Sequence, residues 1–187
     1  TLEFTSTIRG TDNTANNSSK LELDTGTGAI TFNASTIIGG ATKPLDTLLI
    51  NTSDSDEALT IPEIGSGADA GVLGLVTIGN TAATASISMR DALYNFGTGT
   101  VTLNTVATGT TTFAKTDNVN VNLAGGNFKI DGKMAITGAV DKTLDINSGG
   151  GSIEITKDIT GTNGDENLVL DDNNTGSSGI ITLGGNV

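Results

Sequence analysis

The chain has 187 residues, nine Lys and Arg against 21 Asp and Glu for a net charge of −12, and neither His nor Cys. Those counts exclude a Ser-His-Asp triad, a His- or Cys-bound zinc, a thiol nucleophile and a disulfide framework. They also argue against nucleic acid and anionic membrane surfaces, whose recognition needs clustered Lys and Arg.

Read from the first residue, the chain shows short apolar alternations separated by Gly, Asn, Asp and Thr. Leu2-Glu3-Phe4 leads to Ile8 and Gly10. Leu21-Glu22-Leu23-Asp24 runs through Gly26 and Gly28 into Ile30-Thr31-Phe32, then Ile38-Gly39. Leu48 and Asn51 repeat the start of that unit 27 residues after Leu21. Residues 58–93 fit the pattern least well, and Ser86 to Leu93, with Met89, Arg90 and Asp91, reads as a loop or a short helical turn. From there the unit is regular. Tyr94, Val119, Leu144 and Leu168 each open one, 25, 25 and 24 residues apart. Each runs through Gly into a second alternation: Val101-Thr102-Leu103, Phe128-Lys129-Ile130, Ile153-Glu154-Ile155 and Ile181-Thr182-Leu183.

Period-two alternation marks strands with one buried face, and Gly and Asx clusters mark the turns between them. A unit of ~25 residues is too short for a propeller blade and suits one coil of a solenoid, whose apolar face is covered only by the next coil. The expected fold is all-β, a right-handed parallel β-helix of about seven coils, the hand following from the crossover rule. Leu, Ile and Val are expected to form ladders in a thin lumen with little room for rings, matching aromatics at 3%. Asp24, Asn51, Asn122, Asn147 and Asp171 each follow a strand and are expected to form one corner ladder. Leu2–Gly10 aligns position for position with Ile153–Gly161. On that alignment residues 1–187 are expected to form a single solenoid segment, a slice of a longer repetitive chain or fibre.

The pattern of apolar-x-apolar-Asx, Gly-x-Gly, Ile-x-Phe and apolar-Gly, clearest from Leu21 to Phe32 and on through Ile37-Ile38-Gly39-Gly40 to Leu48, resembles the repeat regions of giant bacterial adhesins. These are the filamentous-haemagglutinin-like and autotransporter types. The resemblance implies export to the extracellular bacterial cell surface and a role in adhesion or as a filament. Partners would then be neighbouring repeats or other copies stacked end to end, with a host-surface or carbohydrate ligand, and no insertion into a membrane.

The competing reading is a carbohydrate-active parallel β-helix enzyme, a polysaccharide lyase or hydrolase, which needs several acids converging on a Lys or Arg. The candidates are Asp54, Asp56 and Glu57 in one loop, Asp165 and Glu166 in another, Asp171 with Asp172, and the two arginines Arg9 and Arg90. Scattered over different units, they read as solvated turns rather than a site, and no catalytic, cofactor-binding or metal-ligating residue is assigned. Asp54-Ser55-Asp56-Glu57 offers oxygen ligands for at most a weak surface Ca²⁺, since Gly149-Gly150-Gly151 lacks the Asp of the Ca²⁺-binding nonapeptide repeat. The Thr-Gly-Thr runs at 25–27 and 98–100 do not recur in the unit at Leu144, where Ser148 and Gly150 stand instead, so an ice-binding ladder is not expected.

Overall fold

The computed structural model describes residues 2–10, 19–26, 28–40, 42–52, 58–138, 140–172 and 179–187. Those residues hold twenty strands of two to five residues and no helix. They wind into a parallel β-solenoid of about six turns, close to the seven expected.

In chain order, β1 (Leu2–Phe4) precedes the first full turn, β2 (Lys20–Leu23), β3 (Ile30–Phe32) and β4 (Ile37–Ile38). The second turn is β5 (Thr47–Ile50), β6 (Leu59–Ile61) and β7 (Glu63–Ile64). The third is β8 (Val76–Gly79), β9 (Ser86–Met89) and β10 (Leu93–Phe96). The fourth is β11 (Val101–Asn104), β12 (Thr110–Phe113) and β13 (Val119–Leu123). The fifth is β14 (Phe128–Asp131), β15 (Lys133–Ile136) and β16 (Thr143–Asn147). The sixth is β17 (Ile153–Ile155), β18 (Ile159–Gly161) and β19 (Asn167–Asp171), after which β20 (Ile181–Leu183) returns to the starting face. The first face is thus a seven-stranded sheet from β2 to β20, the second runs from β6 to β18, and the third from β4 to β19. β1 pairs with β3, and β3 packs on β6, so both continue the second face.

Successive turns stack like on like. Val76, Val101, Phe128 and Ile153 are Cα partners in one column, and Ile78, Leu103, Ile130 and Ile155 in the next. All eight are buried, and each such apolar side chain contributes about 1.5–3 kcal/mol by leaving water. The lumen is wide enough for rings, contrary to expectation. Phe32, Tyr94, Phe96, Phe113 and Phe128 are all buried, and Phe4 stacks on Phe32 with ring centroids 5.4 Å apart. Elsewhere each ring has aliphatic or Met partners on the adjacent rungs: Tyr94 lies between Ile64 and Val121, Phe128 between Val101 and Ile153, and Phe113 pairs with Met89.

A column of glycines turns the third-to-first corner. A Cβ on Gly99 would sit 2.0 Å from the Gly74 carbonyl oxygen, one on Gly126 2.0 Å from that of Gly99, and one on Gly151 2.0 Å from that of Gly126. The backbones there touch, so no side chain fits between turns.

Two readings of the sequence need correction. Leu2–Phe4 lies on the second face against Ile30–Phe32, whereas Ile153–Ile155 lies on the first face against Phe128–Ile130. Likewise Leu21 opens on the first face but Leu144 on the third. The units align in letters but are shifted by one face, because all three faces use the same apolar-x-apolar segment followed by a polar corner. The single Asx ladder therefore divides between two corners: Asp24 and Asn51 after the first face, Asn122, Asn147 and Asp171 on the third. Ser86–Met89 is strand β9, followed by a three-residue corner, not a helical turn. Residues 58–93 look irregular because their corners differ in length, not because they leave the stack.

Candidate functional site

The second-to-third corner gathers the most chemistry. Between the two faces, the first turn takes four residues (33–36), the second only Pro62, and the third Arg90, Asp91 and Ala92. At this corner the residue after the second-face strand normally donates its N–H to the strand-end carbonyl one turn earlier. Asn33 donates to Phe4, Arg90 to Ile61, Ala114 to Met89 and Thr137 to Phe113. Pro62 has no N–H, so the Phe32 carbonyl lacks that donor. Arg90 reaches over the short second turn and supplies it: Nη1 donates to Phe32 O at 2.6 Å and Nη2 to Asn33 O.

The rest of the cluster follows from that reach. Arg90 Nε donates to Asp91 Oδ2 at 3.4 Å, and the same oxygen accepts the Glu63 N–H at 3.1 Å. The Asp91 N–H donates to Tyr94 Oη at 2.8 Å, and the Tyr94 hydroxyl donates to Ile61 O at 3.4 Å. Burial, above all, pushes the Tyr94 hydroxyl far above the usual phenol range. Burial also raises the Glu63 carboxyl, helped by the Asp91 charge and opposed by Lys115. One corner thus brings together two acids, an arginine, a lysine's field and a tyrosine. Of these, only Arg90 was a candidate from sequence. Glu63 and Asp91 were missed because they are 28 residues apart and no motif links them; the signal available was Pro62 in a corner position.

Further along this edge, Lys142 is 2% exposed, and its Nζ donates to Phe113 O at 2.6 Å and to Thr137 O at 2.7 Å. Burial lowers its pKa, against the pull of Glu166. Glu166 closes the next corner, accepting the N–H groups of Thr162 at 3.0 Å, Asn163 at 2.8 Å and Gly164 at 3.0 Å.

The other sequence candidates do not join this cluster. Asp165, Asp171 and Asp172 belong to the sixth turn and Arg9 to the opposite end, while Asp54, Asp56 and Glu57 lie outside the described residues. Among the described residues, no group of three or more acids is placed to hold a metal. A groove of about 460 Å³ on the third-to-first corner, between Asp46, Leu73, Thr98 and Ala124, is lined by one acid and no base. An asparagine column runs beside it: Asn122 Nδ2 donates to Asn95 Oδ1 at 2.8 Å, and Asn95 Nδ2 to Gly67 O at 2.6 Å.

The arrangement is chemically one of bonds between turns. Arg90, Asp91, Lys142 and Asn122 each spend polar atoms on a neighbouring rung or corner. No family model matches the sequence, and comparison with curated proteins and with solved structures returns no match.

Proposed function

We propose that the chain is a non-catalytic structural and adhesive segment of an extracellular bacterial surface protein or filament, built by stacking coil on coil. The Arg90 cluster carries this reading. Its guanidinium binds two carbonyls and a carboxylate, and Asp91 is held by Arg90 and the Glu63 backbone. Groups so committed hold turns together and are poorly placed to meet a substrate. The adhesin-like repeat pattern supports the surface location. Antibody raised against the purified chain should label intact producing cells, and beads coated with the chain should adhere to host cells or glycan surfaces. Labelling only after lysis, with no bead retention, would contradict it.

A carbohydrate-active role is the second reading, favoured by the raised Glu63 carboxyl beside Asp91 and within the field of Lys115. Release of reducing ends or unsaturated products from an acidic polysaccharide, abolished by Glu63→Gln, would establish it in place of the first.

A further inference from the structure

The third-to-first corner changes length abruptly along the rod. Eleven residues (65–75) join β7 to β8, but only four (97–100) join β10 to β11 and four (124–127) join β13 to β14. The long corner turns back on itself. The Ser66 N–H donates to Asp69 O at 3.2 Å and the Asp69 N–H to Ser66 O at 3.0 Å. Ala68 and Ala70 of this corner wall a groove over the two short ones: a part of about 460 Å³ reaching Asp46, and a part of about 240 Å³ reaching Asn122. Ala70 and Ala124 line both parts, so the two are continuous. The floor follows the rod. Leu45, Val72, Phe96 and Leu123 share one column, so the residues after them, Asp46, Leu73, Gly97 and Ala124, succeed one another a turn apart. Three such steps make about 14 Å. The wall is fixed in advance, because Asn95 Nδ2 donates to Gly67 O at 2.6 Å and Asn95 is itself buried.

The open polar atoms in this groove suit hydroxyls. Asn122 gives one amide N–H to Asn95 Oδ1; among the described residues its second N–H and its Oδ1 have no protein partner. The exposed Thr98 hydroxyl has none either. Asp46 Oδ2 accepts the Thr47 hydroxyl at 3.0 Å, and Oδ1 stays open. A Cβ at Gly74 would lie 3.0 Å from that Oδ1 and 2.6 Å from Asp46 O, so the floor beside the carboxylate is bare. An amide that both donates and accepts, a hydroxyl and a carboxylate match the neighbouring hydroxyls of a sugar. The exposed Leu73 offers the apolar surface that the C–H face of a sugar ring covers. Other ligands fit worse. No Lys or Arg lines the groove and the chain carries a charge of −12, so an anionic ligand finds no counter-charge. A peptide added as a strand needs free backbone groups. Here the Gly74 N–H is given to Asp46 O, that of Gly97 to Val72 O and that of Ala124 to Gly97 O.

We propose that this groove binds a neutral oligosaccharide laid along the rod. Its hydroxyls meet Asn122, Thr98 and Asp46, and a ring face rests on Leu73. This names the ligand of the adhesive role proposed above and rests on it.

Binding of the full chain to an array of neutral plant, microbial and animal glycans tests it, with sialylated and sulfated counterparts and random peptides printed beside them. Wild type should bind neutral glycans and leave the anionic glycans and the peptides. In titrations with the strongest glycan, Asn122→Ala should weaken binding about tenfold, ~1.4 kcal/mol. Ala124→Trp, at an exposed position, fills the groove and should abolish binding. Thr60→Trp, exposed on the second face, should leave it unchanged. Circular dichroism checks that each variant is folded. An array silent for neutral glycans, binding of anionic glycans or peptides alone, or binding indifferent to Ala124→Trp would overturn the site. Surface label and bead adhesion that survive Ala124→Trp overturn the groove alone; groove-dependent glycan binding by a chain found only inside cells overturns the surface role alone.

Discussion

Arg90 supplies the Phe32 carbonyl with the hydrogen bond that Pro62 withholds. The two residues sit in neighbouring turns, and the carbonyl they concern belongs to a third. A proline at the tightest corner and an arginine one turn later therefore act as one device. Arg90→Ala should destabilise the fold by ~2 kcal/mol, because it leaves a carbonyl and Asp91 short of partners. Arg90→Lys should recover little, since an ammonium cannot reproduce the fork. Adding Pro62→Ala to Arg90→Ala restores a backbone donor and should return ~1 kcal/mol. Urea denaturation of the three variants checks this; an equal loss with and without Pro62→Ala would remove the link.

Two glycines separate steric need from conformational need. Gly126→Ala places a Cβ 2.0 Å from the Gly99 carbonyl oxygen and should cost ~3 kcal/mol or more, by prising two turns apart. Gly26 has φ +57° with nothing within 4 Å of its Cβ position, so Gly26→Ala should cost only ~1 kcal/mol, the left-handed backbone term. Thermal unfolding of both variants compares them directly.

Much of this fold is visible in the sequence, and the reasons the rest is hidden are physical. Alternations such as Val119-Asn120-Val121-Asn122 give strands, their inward side and their partners, because stacking requires like over like. Face identity is hidden, since Leu21-Glu22-Leu23-Asp24 on the first face and Leu144-Asp145-Ile146-Asn147 on the third are the same kind of segment. Glu63 and Asp91 meet only because Pro62 shortens one corner, and no local pattern encodes that length. The loop at Asp54, Asp56 and Glu57 lies outside the described residues.

Glu166 should make the sixth turn sensitive to acid. Its little burial acts to raise its pKa, but the donors from Asn163, Glu166 and Thr162 outweigh that and hold it at about 2. The unfolded value is ~4.3, so the folded pKa is depressed. Its stabilising effect is then full above ~4.3 and fades as pH falls through about 2. Wild type should exceed Glu166→Gln in stability at neutral pH, the gap closing at the acid end. Carboxyl titration by NMR gives the same pKa independently.

Glu63 should behave in the opposite sense. Burial and Asp91 raise its folded pKa, so the folded chain holds that proton more tightly than the unfolded one. Stability from this group is greatest below ~4.3 and is lost as pH rises through the folded value. Glu63→Gln should therefore be more stable than wild type at neutral pH and no more stable in acid. A gain independent of pH would show that packing, not titration, is responsible.

Cross-linking between adjacent turns is the most direct measurement of all. The chain has no Cys, so introduced thiols report only themselves. Thr102 and Lys129 are Cα partners on neighbouring turns of the first face, within the reach of a disulfide. Thr102→Cys with Lys129→Cys in one chain should close an intramolecular disulfide on gentle oxidation, and Thr102→Cys with Lys133→Cys, on different faces, should not. A bond in the second pair only, or in neither, would contradict coil-on-coil stacking.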